Sequence, residues 1–182
     1  MAIKCLRPVA KAKKCTAYYH IRGTEAHAGK SGQDEEQIAR ALGAIPDAEG
    51  RHARYELWVR VGKALCYVTH HIGSTSSTAY ESSAPSREYI NALAEAAQWG
   101  DRRPDFVVRS HRHRFLEVRF PTETGYGISF VTAGWQLKTP FVYRTGMKSS
   151  PPQLGGSMIR QGDEDAYSRH MHWALSRPKV EG

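Results

Sequence analysis

Five of the nine histidines stand where an extended segment runs out into a turn: His27, His70, His71, His111 and His113. Neutral imidazole is the commonest metal-binding side chain, and two histidines two residues apart in an irregular turn can face one pocket. Glu25 adds a carboxylate in the loop that holds His27, and Gly23, Gly29, Gly73 and Gly134 allow tight turns nearby. Each feature has an ordinary alternative. His111-Arg112-His113 also reads as a solvated basic patch, and His70-His71 as one buried and one exposed imidazole. Their joint occurrence at three strand ends favours one metal site, because loops at adjacent strand ends bring together side chains from distant parts of a chain.

The ordered trio Ile21-Arg-Gly-Thr-Glu-Ala-His27, Thr69-His-His71 and Val108-Arg-Ser-His-Arg-His113 resembles the third, fourth and fifth motifs of the calcineurin-like metallophosphoesterases. Within that family it is most similar to the metallophosphatase-like proteins of phages and prophages, and the likeness covers nearly the whole chain. The resemblance implies an α/β fold, part of a two-sheet β-sandwich flanked by helices, with residues 1–182 as a single domain. The chemistry it implies is hydrolysis of phosphate mono- or diesters. Two divalent ions, Mn, Zn or Fe, would lie about 3.5 to 4 Å apart and generate the attacking hydroxide. Glu25 would then take the place of the third-motif ligand, His70 and His111 would bind the second metal, and His113 would bind the first. His27 would protonate the leaving alkoxide, and His71 stands in reserve for a register shifted by one. Arg109, Arg112 and Arg114 surround the last motif, where guanidinium groups contact phosphate or form a solvated basic rim.

The departures from the family pattern set a further expectation. The chain has no Asp-x-His and no acidic residue before Glu25, Thr24 stands where the family has a metal-binding Asn, and Ser110 replaces a Gly. The N-terminal portion of such a domain is therefore expected to be missing, by truncation, a split gene or a late start codon, with supply by another chain as one alternative and loss as the other. Three protein ligands suit one open zinc-like site, so at most one ion is expected in the isolated chain, with poor turnover. Phosphate-ester substrates, nucleotide or nucleic acid among them, are the partners this reading names. Its rivals are a non-catalytic basic nucleic-acid-binding protein, using the N-terminal lysines and the Arg-rich segment 102–119, and a pseudoenzyme subunit that completes a partner.

The elements that must position these residues are legible in part. At 182 residues with a net charge of +8 and 40% hydrophobic residues, the chain can bury a core without staples and favours polyanionic partners. No apolar run approaches a membrane span and no secretory h-region follows the N-terminal lysines, which places the chain in the cytoplasm. Cys5, Cys15 and Cys66 read as reduced thiols. The periodicities predict a basic amphipathic helix over 2–15, and helices over 33–42, capped by Ser31, and 85–99, with Ile90, Leu93, Ala94 and Ala97 on its buried face. Strands are predicted over 18–22, 57–61, 65–69, 106–108, 115–120 and 127–132, with weaker ones at 141–144 and 157–160 and a tail at 170–173. Trp58, Trp99, Trp135 and Trp173 read as packing residues, and His20, His52, His170 and His172 as histidines on which nothing else converges.

Overall fold

The computed structural model describes residues 2–24, 32–73, 77–123, 125–137 and 153–173. They form a mixed α/β structure that groups into two compact units. One comprises the chain up to Leu57 together with Val68–His71; the other comprises Trp58–Tyr67 and the chain from Ile72 onward.

In the first unit, helix α1 (Ala2–Ala10) contains Pro8 and stops well short of residue 15. Lys11 N–H still reaches the Arg7 carbonyl, but Cys15 N–H turns back to Ala12, so the lysine-rich continuation closes as a turn. Strand β1 (His20–Ile21) pairs in parallel with β2 (Ala53–Arg54). Helix α2 (Gln33–Leu42) covers this pair, burying Ala39 and the following Ala44 against Ala53, with Tyr18 at the edge. Asp34, Glu35 and Glu36 occupy its first turn, where carboxylates suit the positive end of the helix dipole. Gly43, at φ 76°, ends it. The residue at its N-cap is Gly32, in the left-handed region; Ser31 lies outside the described residues.

The second unit holds most of a five-stranded sheet in the order β3-β4-β5-β7-β6, the start of β3 and the end of β4 being assigned to the first. Its strands are β3 (Glu56–Val61), β4 (Ala64–Thr69), β5 (Phe106–Arg109), β6 (Leu116–Thr122) and β7 (Gly125–Val131). β5 runs parallel to β7, with Phe106 opposite Ile128 and Arg109 opposite Val131, whereas β6 is antiparallel to β7. All four residues of β5 are buried, which explains the uninterrupted apolar run Phe106-Val107-Val108. Pro121 is tolerated because β6 is an edge strand.

Helix α3 (Ser83–Trp99) packs across β5, β6 and β7. The face it buries is not the expected one: Pro85, Tyr89, Ala92 and Ala96 are buried, whereas Ile90 is 48% exposed. Small alanines at 92 and 96 let the helix lie close to the sheet, and Tyr89 supplies the bulk, packing with Val107 and stacking on Phe120 at 5.0 Å. Gly127 of β7 makes this approach feasible, since a Cβ there would overlap the Tyr89 ring.

A separate antiparallel ribbon, β8 (Leu154–Gln161) and β9 (Ala166–Trp173), replaces the weak strand and tail expected here. Residues 141–144 lie outside the described residues. The four tryptophans, expected as core or semi-buried packing, are all exposed, with Trp58 at 47%, Trp99 at 74%, Trp135 at 73% and Trp173 at 49% exposure. Trp58 keeps one packed face, stacked on Tyr67 at 4.2 Å. Among the described residues no helix is long and apolar enough to cross a membrane.

Candidate functional site

The histidine turn after β5 is the part of the expected site that the structure builds in most detail. β5 ends at Arg109, whose carbonyl accepts from Thr132 N–H at 2.8 Å, and Ser110 Oγ lies 2.9 Å from Thr132 Oγ1. The loops leaving two parallel strands are thus held together at their first residues. Arg112 N–H then folds back onto the Ser110 carbonyl at 2.7 Å, and His111 and His113 adopt φ of 67° and 53°. For residues other than glycine that left-handed backbone costs on the order of 1 to 3 kcal/mol each and persists only where the surroundings enforce it.

The surroundings here are specific. Gln153 accepts Phe115 N–H through its side chain at 2.6 Å and Gly134 N–H through its carbonyl at 3.1 Å. Gly134 lies tight against His113: a Cβ there would sit 3.0 Å from its Cβ and Cγ, closer than ordinary contact. Arg114 donates to Glu81 at 3.0 Å. His111 and His113 are half-buried on this clamped turn, so it presents two imidazoles from alternate residues.

Arg109, expected either to touch phosphate or to form a basic rim, does neither. It is only 3% exposed, pairs with Glu88 at 2.9 Å, donates to the Val108 carbonyl and lies 4.5 Å over the Tyr67 ring. A buried guanidinium needs such partners, and they commit it to holding α3 against the sheet. Arg112 is half-buried within the histidine turn.

The remaining expected residues are distributed as follows. Glu25 and His27 lie outside the described residues. His70 and His71 leave the end of β4 in the first unit, His70 half-buried and His71 exposed, while His111 and His113 belong to the second unit. Upstream of Glu25, Gly23 N–H is pinned to Glu35 at 2.8 Å. Thr24 Oγ1 is buried with no hydrogen-bond partner among the described residues. A buried hydroxyl without a partner is uncommon and marks a place where a missing group would be stabilising. Among the described residues no group of three or more His, Cys, Asp or Glu side chains is placed to hold a metal ion.

Two clusters were not foreseen from sequence. Glu36 gathers His52 N–H at 3.0 Å, His52 Nδ1 at 3.0 Å and Ala53 N–H at 2.9 Å, with Arg22 and Arg40 at 3.9 and 3.7 Å. Burial works against its charge, yet these donors outweigh burial and hold the carboxyl down at about 2. In the second unit His170 bridges Glu117 and Ser157. Nε2 lies 2.6 Å from Glu117 Oε2, and Nδ1 lies 2.8 Å from Ser157 Oγ.

Ser168 and Arg119 also donate to Glu117, and Phe115 and Phe130 pack on the imidazole. Burial lowers the pKa of His170, opposed by the Glu117 charge, and the donors around Glu117 lower the carboxyl's despite its own burial. The alternation of β9 does place His170 and His172 on one face, but the expectation that nothing converges there is overturned. Glu117 and His170 are 53 residues apart, and the two-residue period of β6, which sets Glu117 on the face opposite Leu116, Val118 and Phe120, gave no sign of their meeting.

Cys66 is buried beside Asp105, and burial foremost pushes its thiol up to about 11, which fits an inert core cysteine. No family model matches the chain, and no curated protein matches it significantly.

Proposed function

We propose that the chain contributes the histidine-bearing part of a metal-dependent phosphate-ester hydrolase, with the two-sheet metallophosphoesterase architecture that its three motifs resemble. The observation that carries this reading is the clamped turn with two histidines in the left-handed region. A solvated basic patch has no use for enforced strain, whereas a ligand turn does. The Thr24 hydroxyl, buried without a hydrogen-bond partner among the described residues, supports it, because Thr24 stands where that family places a metal-binding Asn.

In this reading His111 and His113 are ligands, and the motif resemblance assigns the same role to Glu25 and His70, with His71 in reserve. Imidazole with one carboxylate is a donor set for zinc, manganese or iron. A divalent ion held there supplies Lewis-acid polarisation of a phosphoryl oxygen. His27 holds the proton that the departing alkoxide takes up, and Arg112 borders the turn as a cation for the ester's charge. With a single credible carboxylate the ligand set suits one ion, so full turnover requires further acidic ligands.

The test is calorimetric titration with zinc and manganese, paired with hydrolysis of an aryl phosphodiester. One ion per chain, lost in His111→Ala and His70→Ala, with weak turnover, is the expected result. Absence of binding at any histidine, or two tight ions with robust turnover by residues 1–182 alone, overturns the proposal or its half-site stoichiometry respectively.

A further inference from the structure

The outer face of the β8–β9 ribbon carries a chemistry of its own. Along β9, Tyr167, Arg169, Met171 and Trp173 are exposed and alternate with the inward Ser168 and His170. Residues directly opposite in an antiparallel pair share a face. The register sets Arg160 beside Tyr167, Met158 beside Arg169 and Gly156 beside Met171. Trp135 completes the strip, 73% exposed with its ring centroid 4.9 Å from that of Trp173. Gly156 keeps the strip low at that point, with the Trp135 ring 4.0 Å from where its Cβ would be.

From Tyr167 to Trp173 the strand spans about 20 Å at roughly 3.3 Å per residue. Aromatic faces at both ends are thus separated by Arg169, Met158 and Met171, with Arg160 beside Tyr167. Neither Arg160 nor Arg169 is in an ion pair among the described residues, and Arg160 meets only the Met158 sulfur at 3.9 Å. Their charges are free to meet an anion. The acidic turn 163–165 lies at the end of the ribbon away from Trp173, and Asp165 directs its carboxylate towards Gly125.

We infer that this strip is a docking platform for single-stranded nucleic acid, with unpaired bases stacked on Trp173, Trp135 and Tyr167 and phosphates paired with Arg160 and Arg169. Charge complementarity selects this occupant: exposed arginines between aromatic faces, on a chain of net charge +8, match a strand of alternating bases and phosphates. A purely apolar partner would leave both guanidinium groups unpaired. The platform requires neither a metal nor any histidine of the proposed hydrolytic site.

The probe is a fluorescein-labelled oligothymidylate of about 12 nucleotides, within the roughly 4 to 16 that such surfaces cover, followed by anisotropy in the presence of EDTA. Wild-type protein should bind it, and bind the corresponding duplex more weakly. Trp173→Ala should weaken binding about tenfold, in line with the loss of one stacked base. Arg169→Ala should reduce the slope of log affinity against log salt by about 0.7. Trp99→Ala, at the end of α3 and outside the ribbon, should change nothing, and unaltered thermal midpoints would confirm that each variant is folded. Equal binding by wild type and Trp173→Ala, equal affinity for duplex, or no binding overturns the inference. So does a dimer in light scattering that Trp173→Ala dissolves without any oligonucleotide binding, which would assign the strip to a second copy of this chain. Because EDTA removes divalent ions, these results stand apart from the fate of the metal-site proposal.

Discussion

A histidine at positive φ carries a conformational cost that glycine escapes, and the turn after β5 carries two of them, His111 and His113. His113→Gly should therefore leave stability within about 1 kcal/mol of wild type, the relief of the backbone offsetting the lost side-chain contacts. His113→Val should cost more, on the order of 2 to 3 kcal/mol, because a β-branched residue resists this region more strongly. Urea denaturation followed by tryptophan emission ranks the three proteins. Divalent-ion affinity should fall in both variants, so Gly at 113 would separate binding from folding. If His113→Gly instead unfolds the second unit, the residue is a packing element and the ligand reading of this turn loses its support. Gly134 belongs to the same argument, since a Cβ there would press on His113 at 3.0 Å.

At the scale of elements, α3 and the ribbon are each held by a contact that can be tested separately. Gly127→Ala should drive Tyr89 off β7 and destabilise the second unit by about 1 to 3 kcal/mol, the usual cost of overpacking. A midpoint in urea equal to wild type would show that α3 does not depend on that close approach. The ribbon's anchor is Glu117–His170. Burial lowers the folded-state pKa of His170 below its ordinary value of 6.5. The stability it contributes is therefore complete above pH 6.5 and is lost as pH falls through the lower folded value. Amide exchange in β8 and β9 should accelerate over that window in wild type and lose this dependence in His170→Asn; a pH-independent wild type contradicts it.

These elements also show what could be read from the sequence. Helices α2 and α3 and the β3–β4 hairpin were legible because capping glycines and β-branched runs are local signals. The buried face of α3 was misread because alanines at 92 and 96 weigh little on a hydropathy scale, yet they permit the closest packing. The histidine motifs located the turn at 110–114 but could not show that Arg109 is buried, since its partner Glu88 lies 21 residues away on another element. The exposed tryptophans escaped for the opposite reason: size suggested burial, while Trp99 and Trp173 end their elements and Trp58 sits on an exposed strand face.

Across the whole molecule the two units differ in what they offer a spectroscopist and in how they should answer to acid. All four tryptophans, Trp58, Trp99, Trp135 and Trp173, lie in the second unit, so tryptophan emission reports that unit alone. The first unit depends on Glu36, which ties α2 to the backbone at His52 and Ala53 and to the His52 ring. Its folded-state pKa is lowered from 4.5 to about 2. A depressed carboxylate contributes stability that is present above the unfolded value and lost as pH falls through the folded one, which sets the window between pH 4.5 and about 2. Amide protection at Ala39 and Ala53 should therefore decline across that window. Glu36→Gln should weaken protection at neutral pH and flatten the decline, because an uncharged amide still accepts hydrogen bonds but has no proton to take up. Tryptophan emission, which senses the other unit, should show no effect of this substitution at neutral pH. Undiminished protection of Ala39 in Glu36→Gln would show that α2 is held by its alanine packing against Ala53 and not by the Glu36 carboxylate.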